Sequence, residues 1–302
     1  MEKKIDKLQN FDEIFGMEKQ CLEYLFRLRW PDGYRCPRCQ HDKNWPIGEK
    51  KYKCRKCGYQ TTVTAGTFFQ DSHLPMTLWF KAIWYVCSQT GCTNALDLQK
   101  ELGLGSYRTA WNMLLKIRKL MAGNVPIKFG GKVAVEEYRI YRTTWKNNSK
   151  VYLAAEIRAD GKVGNICMDI ACNCSHENFC TFLNEHIETN SIVISPYYIS
   201  FWDSILRKYK FKKMHTTKDG EQLCMPITHS IVKWLKNRGL LDNQPIRSSR
   251  EHVQSCLTEC CYKFNSRNKS TAEMFTNLLC SAVLTDKWHI KNLPGNKRIV
   301  VR

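Results

Sequence analysis

Cys36-Pro37-Arg38-Cys39 and Cys54-Arg55-Lys56-Cys57 are two C-x2-C pairs with fourteen residues between them. Together they supply four thiolates, the donor set that closes a tetrahedral zinc site and leaves no position open for catalysis. The surrounding stretch, Tyr34 to Val63, is rich in Cys and Lys and too poor in apolar side chains to make its own core, so it needs a staple. Gly58 permits the tight turn that a zinc knuckle requires. Neither pair stands at a strand-to-helix junction, which argues against a thiol-disulfide exchange motif. Cys36, Cys39, Cys54 and Cys57 are therefore assigned to structural Zn2+. A second run, Cys167, Cys172, Cys174, His176 and Cys180, matches no knuckle spacing and reads as packing, as do Cys256, Cys260 and Cys261.

Around the quartet, Arg35, Arg38, Lys43, Lys50, Lys51, Lys53, Arg55 and Lys56 interleave with Tyr34, Trp45, Tyr52 and Tyr59. Cations with aromatic rings on a small ribbon suit phosphate contact and base stacking. A solvated charged face remains the plainer reading of any single lysine. Arg38, Lys53, Arg55 and Lys56 are the candidates here for DNA contact. Further on, Gly103-Leu104-Gly105 separates a short helix, Ala95–Leu102, from a longer one over Thr109–Met121 that Ser106 is placed to cap. This is the pattern of a helix-turn-helix, whose second helix would aim Arg108 and Asn112 at base edges or phosphates.

These groups need elements to carry them. Apolar residues at helical spacing predict one helix over Asp12–Arg29 and another from Leu74, with Pro75 in its first turn. Ala122–Pro126 reads as a boundary, after which the periodicity changes. Strands are predicted at Lys132–Val135, Val151–Arg158, Lys162–Met168, Ser191–Ile194 and Phe211–His215, with a helix from Ser175 to Ile187. Helices over Thr228–Lys236, Arg250–Phe264 and Thr271–Leu284 follow; Ser248 with Glu251, and Ser270 with Glu273, read as capping boxes. This order implies α/β layers on a mixed central sheet.

The whole chain has 302 residues, 43% of them hydrophobic and 12% aromatic, which allows real cores and excludes disorder as the main state. No apolar stretch approaches the roughly 20 residues that span a bilayer, and Met1–Asn10 has no apolar leader core, so a cytoplasmic protein is expected. There its 16 cysteines are reduced or metal-bound. Lys and Arg number 47 against 28 Asp and Glu, a net charge of +19 spread over both halves, which points to a polyanionic partner, nucleic acid first.

Tyr34-Arg35-Cys36-Pro37-Arg38-Cys39 and the run from Tyr52 to Thr67 resemble the zinc ribbon of bacterial insertion-sequence transposases of the ISXO-two-like group. Leu98–Gly103, Thr109–Leu114, Trp234-Leu235 and Cys261–Arg267 are similar to later segments of that group. The resemblance implies an α+β multidomain chain: an N-terminal helical segment (1–33), zinc ribbon (34–70), helix-turn-helix module (72–124), RNase H-like domain with a mixed five-stranded sheet (130–285) and a basic tail (286–302). It also implies cut-and-paste chemistry, in which acidic side chains hold two divalent cations that activate the attacking and leaving oxygens. Mg2+ is the expected ion, because hard cations take oxygen ligands.

Here the chain departs from the resembled pattern. Glu136 stands where the family carries Asp, and its extra methylene displaces the ligand by about 1 Å, a scale that can cost about a hundredfold. Pro196 stands at the second acidic position and cannot ligate. The third falls within Thr228–Lys233, where His229 or Ser230 is the candidate ligand. Asp203 or Glu137 would be a substitute carboxylate, and His215 matches a family histidine. The expected function is thus transposase-family binding of double-stranded DNA at element ends, as a homo-oligomer associated with the bacterial nucleoid, with catalysis impaired or lost. Two alternatives stay open: an active Mg2+-dependent transposase with non-standard ligands, and a repurposed DNA-binding regulator.

Overall fold

A computed structural model describes residues 8–126, 128–140, 149–171, 176–195, 208–213, 233 and 249–284. The chain divides into two compact units, Met1–Asn124 with Asn268–Arg302, and Val125–Arg267. Among the described residues no helix is long and apolar enough to cross a membrane.

The first unit begins with α1 (Leu8–Phe15) and α2 (Glu18–Arg29), where a single helix was predicted. The break falls at Gly16, where an added Cβ would collide with the Asp12 carbonyl oxygen. Gln20 Oε1 then accepts the Met17 N–H at 3.0 Å and starts α2. Strands β1 (Asn44–Ile47), β2 (Lys51–Cys54) and β3 (Gln60–Thr62) form an antiparallel sheet in that order. It is followed by α3 (Met76–Ser88), with Pro75 as its N-cap, α4 (Ala95–Glu101) and α5 (Tyr107–Ala122). Asn94 caps α4 by accepting the Leu96 N–H, and Gly103 turns the chain at φ +61°. Ala110, Met113, Leu114, Ile117 and Leu120 of α5 are buried. So is Arg118, which donates to the Thr93 carbonyl at 2.7 Å and to Cys92 Sγ at 3.0 Å, tying α5 to the loop before α4.

The final described helix, Thr271–Leu284, falls in this first compact unit, whereas the expected RNase H-like domain runs to 285. An apolar stripe announces that a helix packs but not against what. Phe275 joins Phe11, Phe15, Phe80 and Trp84 in one aromatic core. The Phe68 N–H donates to the Ala282 carbonyl, and Ser281 Oγ to Asn124 Oδ1. Ser270 and Glu273 form the predicted capping box in both directions.

The second unit is built on β4 (Lys132–Ile140), β5 (Ser149–Ile157), β6 (Val163–Ala171), β7 (Ile192–Ser195) and β8 (Lys210–Lys213), in the order β6-β5-β4-β7-β8. Pairings β4–β7 and β7–β8 are parallel and the others antiparallel. Strand β4 runs five residues beyond the predicted Val135, because the β5 ladder continues through Ile140↔Ser149 although Glu136, Glu137 and Arg139 are charged. Helix α6 (His176–His186) covers one face, where Val133, Val135, Tyr152, Ala154, Phe182, Leu183 and Val193 are buried together. Helix α7 (Arg250–Asn265) lies along β6. Its N-cap is Ser249, whose Oγ accepts the His252 N–H, rather than the predicted Ser248. With this numbering the last helix, Thr271–Leu284, is α8. Apart from Lys233, which is helical, the predicted helix over Thr228–Lys236 lies outside the described residues, as do Ser175, Ser248, the end of the strand predicted to His215 and the basic tail.

Candidate metal centre and nucleic-acid interface

The two cysteine pairs fold as two copies of one turn. In the first, the Gln40 N–H donates to the Cys36 carbonyl and the Cys36 N–H to the His41 carbonyl. In the second, Gly58 and Cys54 do the same with Cys54 and Tyr59. The residue after each pair is left-handed, Gln40 at φ 60° and Gly58 at φ 69°, so glycine was the legible half of a repeated device. A further bond, from the Arg55 N–H to the Lys43 carbonyl, crosses between the copies.

The turns bring the four Sγ atoms within 4.8 Å of one another. Cys36 and Cys57 sulfurs are 3.7 Å apart, and those of Cys39 and Cys54 3.6 Å. A zinc–sulfur bond of about 2.3 Å in a tetrahedron sets sulfurs about 3.8 Å apart, so the donor set fits Zn2+. Cys36 and Cys54 are wholly buried; Cys39 and Cys57 reach solvent on one side. Burial raises the Cys36 thiol, but the N–H groups of Cys39 and Arg38 and the neighbouring thiols outweigh it and bring it down to about 6. At Cys39 the His41 N–H pulls downward, yet burial and the other three thiols push it up to about 12. Burial, then the Cys36 thiol, holds the Tyr34 hydroxyl well above its ordinary range, so it keeps its proton.

The ribbon is seated on α2. Phe26, Trp30, Tyr34 and Tyr52 form an aromatic wall, with Phe26 and Tyr52 centroids 5.0 Å apart, and Arg29 Nη1 donates to the carbonyls of Thr62 and Val63. Tyr34 and Tyr52, read from sequence as stacking partners for nucleic acid, are therefore packing residues. Trp45 and Tyr59 remain outside, 50% and 40% exposed. Arg38, Arg55 and Lys56 are exposed and Lys53 is half-buried. Arg55 donates through Nε to the Asn44 carbonyl and lies 5.4 Å from the Trp45 ring centroid, which fixes a cation over an exposed indole. On α5, Arg108 and Asn112 are both exposed, beside Tyr107 and Trp111 stacked at 6.1 Å.

Of the positions expected to carry catalysis, only Glu136 and the neighbouring Glu137 lie among the described residues. Ala134 on β4 is level with Ile194 on β7, the last pair of that parallel ladder, so Glu136, 8% exposed, comes two residues beyond it along β4. Pro196, Asp203, His215, His229 and Ser230 lie outside the described residues. Glu137 pairs with Lys150. One further grouping had no sequence motif: Asp169 Oδ2 lies 2.6 Å from His186 Nε2, near Glu185, and Gln254 Nε2 donates to Asp169 Oδ1 at 2.9 Å. Asp169 and His186 are seventeen positions apart in the chain, and only the way α6 crosses the sheet joins them. Cys167, Cys256, Cys260 and Cys261 are buried, as their packing role requires; Cys172 and Cys174 lie outside the described residues.

Residues 16–60 match the family described as the transposase zinc-ribbon domain, a span that takes in α2 as well as the cysteine quartet. A relative in Halobacterium salinarum, named "Uncharacterized protein in transposable element ISH50", is 22% identical over 132 residues, 42% of this chain. The chain spans 44% of that relative's length. These likenesses and the geometry of the four sulfurs support a transposase-related chain with a zinc ribbon that holds structural Zn2+.

Proposed function

We propose that the protein binds double-stranded DNA, the ends of a mobile element, through its ribbon and through a helix-turn-helix formed by α4 and α5. The observation that carries this reading is the outer face of the ribbon, where the Arg55 guanidinium lies over the exposed Trp45 ring and Arg38, Lys56 and Tyr59 are also presented to solvent. Cations neutralise phosphates while rings offer stacking surfaces. Arg108 and Asn112, at the start of α5 after the Gly103 turn, would add contacts in the major groove.

The second unit is read as an RNase H-like domain whose nuclease chemistry is impaired or lost. The mixed five-stranded sheet, with β4 and β7 adjacent and parallel, supports that reading, and Glu136 occupies the first metal position in it. The residue following Ser195 at the end of β7 is a proline, which offers no ligand atom. The alternative is an active enzyme that recruits other carboxylates to Mg2+, favoured by the shielded position of Glu136. A homo-oligomer on paired ends and association with the nucleoid complete the proposal.

The test incubates the full chain with labelled candidate end sequences, with and without Mg2+ or Mn2+. Binding that weakens steeply with salt, and no nicking, is the expected result. Metal-dependent nicking abolished by Glu136→Ala would establish the active alternative; absence of any DNA binding would remove both.

A further inference from the structure

The sulfur centre has one neighbour that packing alone does not explain. Tyr34 stands two residues before Cys36 and is 3% exposed, so water does not reach its hydroxyl. Its ring is committed to the wall on α2, with centroids 5.1 Å from Trp30 and 6.1 Å from Tyr52. Its Oη is a buried side-chain polar atom with no conventional hydrogen-bond partner among the described residues. Apart from burial, the groups acting on it are the thiols of Cys36, Cys54 and Cys57; Cys36 is foremost and alone acts through hydrogen bonding as well as charge. A phenylalanine would fill the same space without stranding a polar atom, so the hydroxyl needs a reason.

Zinc supplies one. Four thiolates around Zn2+ leave the centre with excess negative charge, which hydrogen-bond donors must offset. Cys39 and Cys57 reach solvent, whereas Cys36 and Cys54 are sealed and depend on donors from the protein. The backbone N–H groups of Cys39 and Arg38 act on the Cys36 thiol from the protein side. We propose that in the zinc-loaded ribbon the Tyr34 hydroxyl donates a hydrogen bond to Cys36 Sγ, making Tyr34 a positioning residue that acts on the metal through its ligand. The bond orients the sulfur, draws charge from it and shields the zinc–sulfur bond from electrophiles. It also joins the metal centre to the wall that seats the ribbon on α2.

The test uses the full chain loaded with zinc and compares wild type, Tyr34→Phe and Tyr52→Phe, the last a control whose ring belongs to the same wall. Zinc affinity is read by competition with a chromophoric chelator, thiolate reactivity by the rate of maleimide alkylation, and sulfur charge by the thiolate-to-metal absorption band after Co2+ substitution. Tyr34→Phe is expected to hold zinc about 10- to 100-fold more weakly, to be alkylated faster and to shift the Co2+ band, while Tyr52→Phe matches wild type. Affinity and alkylation unchanged within about twofold in Tyr34→Phe would reduce the hydroxyl to a packing role. Should that variant not fold, 3-fluorotyrosine placed at position 34 keeps the donor and makes it more acidic; an unshifted Co2+ band then overturns the proposal. A wild-type chain that takes up no zinc removes the metal centre itself, and the proposal with it.

Discussion

The side-chain amide of Asn265 meets both backbone groups of Ile166, accepting its N–H at 2.7 Å and donating to its carbonyl at 3.0 Å. Gln254 repeats the contact one stretch along, accepting from Ile170 and donating to the Met168 carbonyl. Arg250 donates to the Ile170 carbonyl and Arg267 to those of Val163 and Gly164. Eleven residues are close to three helical turns, so Gln254 and Asn265 share one side of α7. That side closes the outer edge of β6, which would otherwise offer its ladder to another chain.

Asn265→Asp should therefore destabilise the second unit by about 2 kcal/mol, because a carboxylate cannot donate to the Ile166 carbonyl and repels it. Asn265→Gln should cost less than Asn265→Asp. Chemical denaturation of both variants checks the order, and equal midpoints would remove the edge-capping role.

Glu259 is fully buried on α7 and accepts from Lys263 Nζ at 2.7 Å. Removing one partner strands the other charge, so Glu259→Ala should cost about 3–5 kcal/mol. Replacing both by Leu and Met should recover most of that loss. A double-mutant cycle in urea measures the difference, and additive losses would show that the pair is not coupled.

The Ser270 N–H, and after it the Ser270 hydroxyl, hold the Glu273 carboxyl below its ordinary value of 4.5. A depressed folded-state pKa contributes stability that is present above the unfolded value and lost as pH falls through the folded one. Wild type should therefore melt above Glu273→Gln at neutral pH, the gap closing as acid protonates the carboxylate. Melting curves from neutral pH down through the carboxylate range check this; a constant gap would assign the difference to shape alone.

Cys54→Ser should abolish stoichiometric zinc, since the fourth corner is lost and structural sites hold zinc with roughly 10–16 kcal/mol. Amides of β1, β2 and β3 should then exchange freely with solvent while those of α3 and α5 stay protected. Zinc analysis and hydrogen exchange on the full chain read the two effects separately. Protection retained in the ribbon without zinc would mean that the aromatic wall suffices to fold it.

How much of this was written in the sequence follows from the range of each interaction. The quartet was legible because ligand type and spacing are local, and the Ser270 and Glu273 cap for the same reason. The buried face of α5 followed from its period. Tyr34, grouped by sequence with the rings suited to base stacking, packs against Trp30 instead, which nothing in the surrounding Lys and Arg residues indicates. The extension of β4 past Val135 was hidden by polar residues that its partner strand holds in register. Asp169 and His186, and likewise Asn265 and Ile166, meet only through tertiary crossings, which no local pattern encodes.

The return of α8 to the first unit gives the order of synthesis a physical meaning. A ribosome adding about 5–20 residues each second emits the zinc ligands well before Phe275. Until then Phe11, Phe15, Phe80 and Trp84 lack the ring that completes their core. A product cut short inside the second unit would carry a full set of metal ligands on a half-built support, open to proteases. The fold thus withholds a sealed first unit until translation has passed through the second.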